Sequence, residues 1–164
     1  MNSLEEKLKK IHDLCIQHKL NIATAESCTG GYISKLITDQ SNSSQYYKGS
    51  IIAYSNKVKS DILNVSPELI DKFGAVSSEV SIEMARGLLE LMHTDIALSI
   101  TGIMEKSDVN SHKDCQVYIT IMSSENELTS FFKLAGLRKD NRLDTVNFTF
   151  SCLSDFINKN YLLS

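Results

Sequence analysis

The chain has 164 residues, 42% of them hydrophobic, 23% charged and 7% aromatic, a balance that fits one domain. Folding at this size removes roughly 70% of the unfolded surface from water, so a real core needs no disulfide or metal to hold it. Seventeen Lys and Arg against twenty Asp and Glu leave a formal charge of −3, without the basic excess that tracks a phosphate backbone, which argues against nucleic-acid binding.

No stretch reaches the roughly 20 apolar residues that cross a bilayer. The opening MNSLEEKLKKIHDL alternates charge with leucine, unlike the apolar run of a signal peptide. The expectation is a cytoplasmic protein with no membrane contact. Cys15, Cys28, Cys115 and Cys152 form no CxxC pair, and His12, His18, His93 and His112 form no HxxxH, which predicts reduced thiols and no metal site.

Leu4, Leu8, Ile11 and Cys15 recur at helical spacing over residues 3–18, with Glu5, Glu6, Lys9 and Lys10 on the other face, as in an amphipathic surface helix. Residues 21–26 read as a short strand, and Ser27, Cys28 and Thr29 lead through Gly30 and Gly31 into a helix that runs to Ile37. A second strand is predicted over residues 48–54, then a helix capped by Ser55 or Asn56 and carrying Val58, Ile62 and Leu63. Ser66, Pro67 and Glu68 start another helix and Gly74 ends it. Ser77 or Ser78 opens the next, with Val80, Met84, Leu88 and Leu91 as its core stripe.

Residues 95–100 are an apolar, β-branched run too short for a helix, which predicts a buried central strand. After the polar segment 104–114, residues 115–122 and 128–134 pair as a hairpin around SSENE. The last helix starts between Arg138 and Asn141, with Leu143, Val146, Phe150, Leu153 and Ile157 as its apolar stripe. Early alternation of helices and strands, then a hairpin and a helix, predicts an α/β fold: a three-layer α/β/α sandwich on a mixed β-sheet, in a single domain over residues 1–164.

Chemistry concentrates in Thr24-Ala25-Glu26-Ser27-Cys28-Thr29-Gly30-Gly31. Ser27 would stand at the carboxyl end of a strand, directly before a helix start whose free N–H groups favour an anion or a developing oxyanion. The N–H groups from Cys28 to Gly31 are candidate oxyanion donors, and Gly30 and Gly31 let a ligand approach the backbone. The plainer alternative is that Ser27 or Thr29 only caps the helix. A serine nucleophile needs a base, and no histidine is well placed. Lys59, one helical turn past the strand end at Tyr54, can serve if desolvation lowers its pKa; otherwise it is a solvated surface amine.

TAESCTGG at 24–31, YSNKVK at 54–59, GAVS at 74–77 and SITGI at 99–103 resemble, in order and spacing, the CinA carboxy-terminal domain family, which includes the nicotinamide mononucleotide (NMN) amidohydrolases, or NMN deamidases. The resemblance covers nearly the whole chain. It implies a metal-independent Ser/Lys amidohydrolase that needs no cofactor and turns the carboxamide of NMN into a carboxylate, releasing ammonia. In that reading Ser27 is the nucleophile, Lys59 the general base and Tyr54 a residue that orients the dyad or the substrate, while Lys57 falls on a variable position. Thr29, Gly30, Gly31 and Thr101 would contact substrate, and Arg138, in a loose match to the family's arginine block, would be the cation for phosphate or transition-state charge. Cys28 is expected to be a buried filler on the side opposite Ser27. The family likeness also implies a homodimer.

The sequence departs from the family at Met104-Glu105-Lys106-Ser107-Asp108-Val109-Asn110-Ser111-His112-Lys113-Asp114-Cys115, where relatives carry a loop rich in glycine and proline, and at Leu137, where they carry an acid. Two consequences are open. The loop is rebuilt for another nucleotide amide, with Lys106, His112 or Lys113 supplying cations, or the chain is a catalytically impaired nucleotide-binding or interaction module. Longer family members place an amino-terminal domain resembling molybdopterin-binding proteins before this one; within these 164 residues no such domain is expected.

Overall fold

The structure is a computed structural model and describes residues 3–106 and 114–161. Along the chain it forms α1 (Leu4–His18), β1 (Ile22–Glu26), α2 (Tyr32–Thr38), β2 (Tyr47–Ile52), α3 (Asn56–Leu63), α4 (Pro67–Phe73), α5 (Ser78–Met92), β3 (Ile96–Ile103), β4 (Gln116–Met122), β5 (Glu127–Lys133) and α6 (Arg138–Tyr161). The strands form one mixed sheet in the order β2-β1-β3-β4-β5, with β1 parallel to β2 and β3, and β4 antiparallel to both β3 and β5. Helices cover both faces, which is the three-layer α/β/α sandwich expected.

Strand alternation decides what each face receives. Ile22, Ile96, Leu98, Ile100, Val117, Ile119 and Ile121 point to one side and bury against α1, α2 and α6. Ala23, Ala25 and Ala97 point to the other and meet Leu63 of α3, Ile70 of α4 and Val80, Met84 and Leu88 of α5. The small residues on this second face let α5 lie close, with Ser99 of β3 bonded to Ser81 of α5.

The predicted elements are all present, with four local corrections. β2 ends at Ile52 rather than at Tyr54, and β3 continues to Ile103 because Thr101, Gly102 and Ile103 stay paired with Tyr118, Val117 and Gln116. Leu91 is exposed in the last turn of α5, beyond its apolar cover. Leu143 is exposed too, at the rim of the buried arc of α6, where it borders a surface cavity. The helix starts follow their caps: Ser55, Ser66 and Ser77 each accept a backbone N–H from the first turn of α3, α4 and α5.

Candidate active site

β1 lies between β2 and β3, with all three strands pointing the same way, so their carboxyl ends open on one crevice. Ser27 continues β1 by one residue; its N–H donates to the carbonyl of Ile100 at 3.0 Å. Alternation then sends neighbouring side chains to opposite sides. Glu26 faces the α2 layer, and Ser27 faces the layer that contains α3.

Lys59 comes from α3, where Ser55 caps the helix start. Only 1% of it is exposed, and its Nζ lies 3.1 Å from Oγ of Ser27. The same nitrogen donates to the carbonyls of Ala53 at 2.7 Å and Tyr54 at 3.4 Å. No carboxylate among the described residues pairs with it, and burial pushes its pKa below the usual 10.5. A neutral amine has two N–H bonds and one lone pair. Two carbonyls take the former, which leaves the latter for the hydroxyl of Ser27. Lys57, by contrast, is in solvent and pairs with Asp61 at 2.6 Å.

Glu26 was not singled out by the sequence, and it changes the reading of the serine turn. Its carboxylate is fully buried and accepts from the N–H groups of Gly31 (2.9 Å), Ile33 (3.1 Å) and Ser34 (2.8 Å), and from the Ser34 hydroxyl. The start of α2 is therefore already occupied by a carboxylate from the chain itself, and neither Ser27 nor Thr29 caps it. Gly31 holds that position at φ 93°, a conformation that favours glycine. The candidate oxyanion donors narrow accordingly. Gly31 N–H is bound to Glu26 and Gly30 N–H to the carbonyl of Ser27, whereas Cys28 and Thr29 N–H meet no protein acceptor among the described residues.

Ser27, Lys59, Tyr54, Thr101, Glu105 and Arg138 share a cavity of about 320 Å³. The Thr101 hydroxyl donates to the carbonyl of Ala75 at 2.8 Å, so it ties the α4–α5 turn to β3 while forming part of the wall. Tyr54 is 63% exposed and its hydroxyl accepts from Arg138 Nη2 at 3.3 Å; only its backbone carbonyl reaches Lys59. Arg138 also lines a neighbouring cavity of about 550 Å³ with Tyr32, Lys139 and Arg142. Thr29, Gly30 and Gly31 lie beside the serine cavity and not on its wall. Thr29 is fully buried, and its carbonyl accepts from Arg142 Nη2. Arg142 is thus a second residue the sequence reading missed, although it stands one turn from Arg138 on the same helix.

Cys28 packs into the core on the α2 side but also borders the serine cavity, so it is not wholly opposite Ser27, and burial pushes its thiol up to about 12, far from a reactive thiolate. Lys106 pairs with Asp114 at 3.6 Å. His112 and Lys113 lie outside the described residues.

An α/β sandwich with a serine and a desolvated lysine in contact at the carboxyl edge of its parallel strands is the class that this arrangement defines. Residues 4–157 match the CinA C-terminal domain, and the chain belongs to that family. It is 42% identical over 136 residues to a CinA-like protein of Endomicrobium trichonymphae, covering 82% of this chain and 32% of that protein. A CinA-like protein of Leptospira interrogans is 40% identical over 121 residues, covering 74% of this chain and 29% of its own length. The chain thus spans about a third of these curated relatives. Among solved structures it is similar to the competence/damage inducible protein CihA from Agrobacterium tumefaciens (TM-score 0.85, 30% identity, 96% of this chain and 97% of that one). A competence or damage-inducible protein from Enterobacter asburiae aligns with a TM-score of 0.90 at 26% identity, over 96% and 99% of the two chains. Among the described residues no helix is long and apolar enough to cross a membrane.

Proposed function

We propose that the chain is a Ser/Lys amidohydrolase that acts on the carboxamide of nicotinamide mononucleotide or a close nucleotide relative. The observation that carries the reading is the 3.1 Å approach of Lys59 Nζ to Ser27 Oγ, in a setting that lowers the lysine pKa. Neutral Lys59 takes the hydroxyl proton as Oγ forms a bond to the amide carbon. The negative charge that develops on the former carbonyl oxygen is assigned to the backbone N–H of Cys28, which borders the same cavity as Ser27. Lys59 returns its proton to the departing nitrogen, the C–N bond breaks, and ammonia leaves an ester on Ser27. Water attacks that ester with Lys59 again accepting a proton, the C–Oγ bond breaks as Lys59 returns that proton to Oγ, and the carboxylate is released.

Arg138 gives the pocket an exposed cation, suited to a phosphate. Glu105 adds a carboxylate to the same cavity, so the pocket offers both signs to a substrate with a cationic pyridinium ring and an anionic phosphate. No metal or cofactor has a part in this scheme.

The test is ammonia release from NMN by purified protein. Wild type is expected to turn over, with Ser27→Ala lower by about 10⁴-fold or more while its melting temperature holds. A wild type that raises its melting temperature with NMN but releases no ammonia would replace this reading with that of a binding module.

A further inference from the structure

Asn141 is fully buried in the first turns of α6, a costly place for an amide unless its polar atoms are paired. They are paired, and with backbone from two separate loops. Its Oδ1 accepts the N–H of Gly136 at 2.8 Å, and its Nδ2 donates to the carbonyls of Gly136 at 2.9 Å and Met104 at 2.8 Å. Met104 is the first residue after β3 and precedes Glu105; Gly136 lies two residues before Arg138. Thr145, one turn along α6, adds a contact from its hydroxyl to the Met104 sulfur at 3.7 Å. Gly136 approaches the amide closely. A Cβ at that position would stand 3.1 Å from Oδ1 of Asn141 and 3.1 Å from Cβ of Asp140.

We propose that Asn141 is a positioning residue: its buried amide ties the segment leaving β3 to the turn that carries Arg138, and thereby fixes the wall of the cavity that faces Ser27. Asn141 touches neither Ser27 nor Lys59, so it governs where the anionic end of a substrate is held and leaves the bond-breaking step alone. The substrate side of the inference rests on the amidohydrolase reading; the coupling of the two loops does not.

The experiment compares wild type, Asn141→Ala and Gly136→Ala with NMN and with nicotinamide riboside, which carries the same amide without the phosphate. Asn141→Ala is expected to raise KM for NMN about tenfold, the scale of one charge-assisted contact, with kcat little changed and KM for the riboside moving less than about twofold. Gly136→Ala pushes on the same amide from outside the core and moves the same ratio in the same direction, so it serves if Asn141→Ala does not fold. A KM that shifts equally for both substrates, or a fall confined to kcat, overturns the assignment. Amide hydrogen exchange in the same variants reads the coupling directly: faster exchange at both Glu105 and Arg138, with β1 and β3 still protected, supports it. Acceleration at one site only, or at neither, overturns it. If wild type releases no ammonia from either compound, the amidohydrolase reading fails and exchange alone decides the role of Asn141.

Discussion

On one side of the cleft, Ser27 and Lys59 are buried and held by backbone: the ladder to Ile100, the carbonyls of Ala53 and Tyr54, and a turn whose N–H groups close on Glu26. On the other, Tyr54, Glu105 and Arg138 are exposed, and the one bond between Tyr54 and Arg138 is long at 3.3 Å. The difference separates two tasks. A lysine keeps a neutral amine only where water is excluded, so under the amidohydrolase reading the proposed bond-breaking pair must be dry and rigid. Groups that receive a charged, soluble ligand must be reachable, and they tolerate substitution more readily.

The largest effect should come from the buried side. Under the amidohydrolase reading, Lys59→Met is expected to lower turnover by about 10⁴-fold or more, because the serine loses the amine beside it. The same variant tests the electrostatics. Folding lowers the lysine pKa, so between the folded value and 10.5 the unfolded chain holds the extra proton. Wild type should therefore gain stability relative to Lys59→Met as pH rises toward 10.5, and lose it as pH falls through the folded value. Parallel curves in chemical denaturation at several pH values would break that claim.

Next in size is Glu26→Ala. It leaves the N–H groups of Gly31, Ile33 and Ser34 without their acceptor and should cost about 3 kcal/mol or more in denaturant unfolding. On the exposed side, breaking the Lys106–Asp114 pair with Lys106→Ala should cost less than about 0.5 kcal/mol. Equal losses would show that the two walls do not differ as described. Arg142→Ala removes a charged donor from the Thr29 carbonyl and is expected to reduce kcat about tenfold, through the serine turn. Tyr54→Phe deletes only the exposed contact with Arg138 and should change kcat/KM by less than about threefold.

Much of this division was legible in the sequence. Alternation, Ser caps and the short apolar run at residues 95–100 marked the layers and the central strand, because each reports a local periodicity or a local bond. Ser27 and Lys59 were readable as motifs; their contact depends on α3 folding back over the sheet edge, which periodicity does not encode. Glu26, Asn141 and Arg142 were missed for a shared reason. Each acts on backbone beyond its own turn or strand, Arg142 on Thr29, Asn141 on Met104 and Gly136, and Glu26 on the helix start that follows it, and a polar side chain in a strand or helix gives no sign of whether it meets water or a buried backbone group. The core face of α6 was obscured in the same way, since Thr145 and Thr149 are fully buried with their hydroxyls bonded to the preceding turn. One signal was available for Glu26: a carboxylate at the end of an otherwise uncharged strand, directly before a helix start, is placed to serve that helix.

The central claim is that the amine beside Ser27 is poised as a neutral base, and NMR titration of the Lys59 side-chain nitrogen in the folded protein tests it without reference to any substrate. The account predicts a midpoint well below 10.5 that moves when Ser27 is changed to Ala. A lysine that stays protonated to the usual value, unaffected by Ser27→Ala, would contradict it.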